Sequence, residues 1–100
     1  MTQYLYNSEG LWIASRKDKV VYDRDGRWIG WLPWGDGQVV NTDGEYLATI
    51  VEGDRLYREL EWKPRDFPGY PGYQENLNET VYPGFAGQAP KPSNMADVNV

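Results

Sequence analysis

The 100-residue chain carries 15 Asp and Glu against 10 Lys and Arg, a net charge of −5, with neither His nor Cys. That length supports one hydrophobic core, and the acidic balance argues against electrostatic capture of nucleic acid or an anionic membrane. Disulfides, thiolate nucleophiles and thiolate metal sites are excluded, and the usual neutral-pH base and commonest transition-metal ligand are missing with the histidines.

The first residues, MTQYLYNSEG, have neither the basic nor the apolar segment of an export leader. The longest apolar run, WIGWLPW at 28–34, contains Gly and Pro and is far too short to cross a bilayer as a helix. The expected location is the cytoplasm, with no membrane partner and no nucleic-acid partner.

From residue 5 the chain repeats itself. LYNSEGLWIA (5–14), VYDRDGRWIG (21–30) and VVNTDGEYLA (39–48) align over their whole length at spacings of 16 and 18, a strong repeat signal. Asn7, Asp23 and Asn41 stand where a type I turn takes a side chain that caps its own backbone two residues on. Gly10, Gly26 and Gly44 follow three residues later, where a G1 bulge needs a left-handed residue. Each copy therefore predicts a β-hairpin with a three-residue loop.

The register that follows pairs Asn7 with Leu11, Tyr6 with Trp12, Leu5 with Ile13 and Tyr4 with Ala14, and likewise in the other copies. Alternation then gives one aliphatic face of Leu5, Ile13, Val21, Ile29, Val39, Leu47 and Leu56. The opposite face carries Tyr6, Trp12, Tyr22, Trp28, Tyr46 and Tyr57. A fourth copy starts at LYRELEW (56–62) but lacks the Gly and the Asn or Asp. A lone hairpin is marginal in water, so the predicted fold is all-β: about four short tandem hairpins set around a pseudo-fourfold axis, burying their aliphatic residues together.

The phrases VYDRDGRWIGWLPWGDGQVV and YNSEGLWIA, with the later Pro/Gly segment, resemble the bacterial 4-fold β-flower proteins. The resemblance covers about residues 4–60 and implies hairpins around a pseudo-fourfold axis. It implies no activity.

Composition changes at Lys63–Pro64, and six of the seven prolines lie from Pro64 onward. Residues 1–63 read as the hairpin-repeat domain. Residues 64–100 read as an irregular Pro/Gly/aromatic tail, partly docked or disordered, because Pro at this density blocks helices and central strands. Phe67, Tyr70, Tyr73, Tyr82 and Phe85 are the tail side chains able to pack on the body.

No chemistry-bearing constellation emerges. DRDG at 23–26 resembles the start of a calcium loop, but Arg27 falls on a ligand position and no bidentate Glu follows. Asp36, Glu52 and Asp54 could form an acid–base pair only by lying together in connecting loops. SEG and ASRK place Ser8 and Ser15 beside acidic or basic residues, but with no His nothing in the sequence points to an activated serine. The expectation is therefore no catalytic residue, no metal site, no cofactor and no enzyme. Trp12, Trp28, Trp31 and Trp34 are the candidate ligand-binding residues, since flat rings can stack on a sugar or a planar small molecule. The first reading is a non-catalytic interaction or self-assembly module with a homo-oligomeric partner. The alternative is carbohydrate or small-ligand binding across a Trp-rich surface.

Overall fold

The computed structural model describes residues 2–66, 68–77, 80–98 and 100. Phe67, one of the tail aromatics named above, lies outside the described residues. The strands are β1 (Thr2–Tyr6), β2 (Trp12–Lys17), β3 (Val20–Asp23), β4 (Trp28–Trp31), β5 (Gln38–Val40), β6 (Tyr46–Val51), β7 (Arg55–Glu59) and β8 (Met95–Asp97). Among the described residues there is no helix. Each strand pairs antiparallel with the next in chain order. β1 then meets β7 in parallel at Tyr6–Arg55, with the Tyr6 N–H donating to the Asp54 carbonyl at 2.8 Å. Strands β1–β7 thus form a closed barrel, and β8 is an extra strand on β7. Closure leaves few raw edges for another chain to pair with.

The turns joining β1 to β2, β3 to β4 and β5 to β6 share one geometry. The Gly10, Gly26 and Gly44 amides donate to the Asn7, Asp23 and Asn41 carbonyls at 3.0, 3.1 and 3.0 Å. The three glycines have φ of 85°, 82° and 86°, a region where a Cβ is penalised. Asn7 Oδ1 accepts from the Glu9 and Leu11 amides, both at 3.0 Å. Asp23 Oδ1 takes those of Asp25 and Arg27, and Asn41 Oδ1 those of Asp43 and Glu45. One side-chain oxygen in each loop satisfies two amides that the sheet ladder cannot reach.

The expected register holds through Tyr6–Trp12 and then slips. Leu5 faces Ala14, not Ile13, and Tyr4 faces Ser15. Val21 faces Gly30, not Ile29, and Val39 faces Ala48, not Leu47. A second bulge in each hairpin leaves Ile13, Ile29 and Leu47 as the extra residue. A one-residue slip exchanges the faces of everything beyond it. The expected aliphatic face is corrected accordingly: the core is Leu5, Ala14, Val21, Leu32, Val39, Ala48 and Leu56, with Ile13, Ile29 and Leu47 packed half-buried against it.

The physical reason is space. Small barrels fill their interior by setting small residues beside large ones, so Leu5, Val21 and Val39 meet Ala14, Gly30 and Ala48 on their partner strands. Gly30 is the extreme case, because a Cβ there would collide with the Val40 carbonyl oxygen. The slip also turns Trp31, which pairs with Val20, onto the same sheet face as Trp28, which pairs with Tyr22. The chain as a whole, strap included, is flat, measuring 35 × 35 × 19 Å.

Candidate functional site

The described residues between Trp62 and Pro92 form neither helix nor strand, yet they run a defined course. They make a strap that returns past the hairpins in reverse order. Trp62 stacks on Tyr46 at 4.5 Å and 5°, and its indole N–H donates to Gln38 Oε1. Arg65 donates to Asp36 Oδ2 at 2.7 Å and lies 4.1 Å over the Trp34 ring. Tyr70 and Tyr73 then flank Trp28 at 6.0 and 6.3 Å. Tyr82 meets Trp12 at 6.0 Å. Backbone bonds fasten the same route: the Leu77 amide donates to Gly26 O, Ala86 to Gly10 O and Ala89 to Ser8 O. The strap finally delivers β8 to β7.

Two strap segments repeat one another: Tyr70-Pro71-Gly72-Tyr73 and Tyr82-Pro83-Gly84-Phe85. Pro followed by a Gly with φ near 90° (89° and 91°) suits a type II turn. Each turn brings a ring onto a body tryptophan.

The four candidate tryptophans do not form one surface. Trp12 is buried and donates from Nε1 to Ala14 O at 2.7 Å and Ser15 Oγ at 3.2 Å. Trp28 is half-buried under the strap and donates to Gly30 O. Trp31 is half-buried, and its Nε1 has no hydrogen-bond partner among the described residues. Trp34 is capped by Arg65. Among the described residues no two of these four rings pair with each other.

Besides Arg65 on Asp36, two charged side chains tie the later part of the chain to the barrel. Arg55, only 7% exposed, donates to the carbonyls of Asn7 and Gly87, both at 2.9 Å. Asp97 accepts from the Ser8 amide at 2.9 Å and the Ser8 hydroxyl at 2.6 Å. Burial pushes the Asp97 carboxyl up, but the bonds from Ser8 and the nearby Lys91 outweigh it and hold the group below the usual carboxylate range. Asp36 behaves alike: burial raises it, while the Gln38 amide and Arg65 bring it down.

Sequence reading missed a cleft of about 540 Å3 between the β2–β3 hairpin and the strap. Lys17, Asp18 and Tyr22 form one wall, and Tyr73, Glu75 and Asn76 line the other. The only foretaste in the sequence was the doubled Tyr-Pro-Gly motif, since the two walls are some fifty residues apart in the chain. Among the described residues no group of three or more acidic side chains could hold a metal ion. Among the described residues no helix is long and apolar enough to cross a membrane. Compared with protein-family models, with curated proteins and with solved structures, the chain matches none.

Proposed function

We propose that this is a non-catalytic interaction module that associates with copies of itself, built as a β-flower around a pseudo-fourfold axis and working in the cytoplasm. The axis is supported by the three matching turn geometries, by the same register slip in each of these hairpins and by the equal long dimensions of the flat chain. In this reading β7 and β8 are the fourth petal, with the strap as its enlarged loop.

The observation that carries the self-association is apolar surface left uncovered where the strap passes the first hairpin. Val81, Tyr82 and Phe85 are 62–65% exposed and Leu11 is 46% exposed. Large apolar side chains grouped on the surface of a small acidic chain mark an interaction site, and aromatics are enriched at such sites. Light scattering at micromolar concentration is expected to give a multiple of 11.5 kDa. Replacing Tyr82 and Phe85 together by Ser is expected to shift it toward the single chain. A lone 11.5 kDa species from the unaltered protein overturns the proposal.

A further inference from the structure

We propose that the cleft between the β2–β3 hairpin and strap residues 73–77 is a binding site for a neutral saccharide, with Tyr73 as the stacking ring. This site is not the Trp surface considered from the sequence, and it does not depend on self-association.

Its chemistry selects the ligand class. Tyr73 is 76% exposed, yet its ring is steadied edge-on against Trp28 at 6.3 Å and 87°. A ring that is both open and held in place suits stacking on the C–H face of a sugar, because little freedom remains to be lost on binding. Around it stand both kinds of hydrogen-bonding group. Lys17 and the Asn76 amide nitrogen donate, while Asp18 and Glu75 accept. Asn76 is fixed by accepting from the Trp28 amide at 2.9 Å through Oδ1, which leaves its Nδ2 hydrogens to face a ligand. On the hairpin wall Tyr22 is 6% exposed, and its phenol is pushed up by burial and stays neutral.

An anionic ligand would meet two carboxylates in this cleft, and a cationic one would meet Lys17. Among the described residues none of Lys17, Asp18 and Glu75 is in an ion pair. Hydroxyl groups, which donate and accept at once, use the whole set. The volume of about 540 Å3 falls within the range of small-molecule sites.

The test is an amide chemical-shift titration of the full chain with glucose, galactose, mannose, N-acetylglucosamine, maltose and cellobiose, each to about 10 mM. At least one sugar is expected to give saturable shifts confined to residues 17–22 and 73–77. Tyr73→Ala is expected to weaken that binding by roughly tenfold and Glu75→Ala by less, with Thr42→Ala, at an exposed position in the turn between β5 and β6, leaving it unchanged. No shift at those residues with any sugar overturns the proposal. So do shifts that map elsewhere, shifts that survive Tyr73→Ala at full strength, or a stronger response to glucosamine or glucuronic acid than to the neutral sugars.

Discussion

The three loops after β1, β3 and β5 and the single excursion after β7 solve the same problem by opposite means. Each must bring a second strand alongside the first. In the short loops Asn7, Asp23 or Asn41 and a left-handed glycine do this within three residues. After β7 the return strand arrives only at Met95, and what guides it is a series of separate anchors along the strap. The contrast is between local and distributed specification. A local turn loses everything with one residue, whereas a strap held at many points should loosen by stages.

The largest effect is expected at the tightest point of the body. Gly30→Val drives a side chain into the Val40 carbonyl and should cost about 3 kcal/mol or more, since overpacked cores lose that much. Gly84→Ala in the strap, where nothing lies within 4 Å of the new Cβ, should cost only about 1 kcal/mol from its left-handed backbone. Urea unfolding of the two variants checks the ranking, and equal losses would erase the distinction between body and strap.

Next comes the anchor that joins the two regions. Arg55→Met removes the buried guanidinium from the Asn7 and Gly87 carbonyls and should cost about 2 kcal/mol, the range for hydrogen bonds to charged groups. Strap residues 80–90 should become cleavable by protease before the hairpins do. Simultaneous cleavage throughout would mean that strap and body unfold as one unit.

The smallest effect concerns pH. The folded Asp97 carboxyl lies below its ordinary value, so its contribution is fully present above the unfolded carboxylate pKa, about 3.9. It is lost as pH falls through the folded value. The side chain is 33% exposed, so solvent keeps the effect modest. Protection of the Met95–Asp97 amides, taken relative to their intrinsic exchange rates, should fall on acidification below about pH 4 in the parent chain, and Asp97→Asn should remove that acid step.

How much the sequence disclosed follows the same division. The Asn7–Gly10 turn and its two counterparts were legible because the residues that impose the geometry sit inside it. The slip at Ile13, Ile29 and Leu47 was not, since no residue type announces it. It is set by the room available between facing strands, which only the assembled barrel defines. Met95–Asp97 carried no strand pattern, and its place depends on β7 and Ser8, far back in the chain. The tryptophans were conspicuous in the sequence, but strap and sheet divide them among separate settings. The cleft at Tyr73 and Lys17 needed both walls before it existed at all.

The late arrival of β8 also bears on biosynthesis. Hairpins one to three can condense as soon as each leaves the ribosome, because both strands of each are already made. β7 can pair with β6 and β1 at once, but its other flank waits for β8, which is encoded after residues 60–94, so a nascent chain carries an unsatisfied strand flank while those residues are made. Stalling or premature termination in that interval would release a sticky intermediate, which gives the three codons of β8 an importance out of proportion to their number.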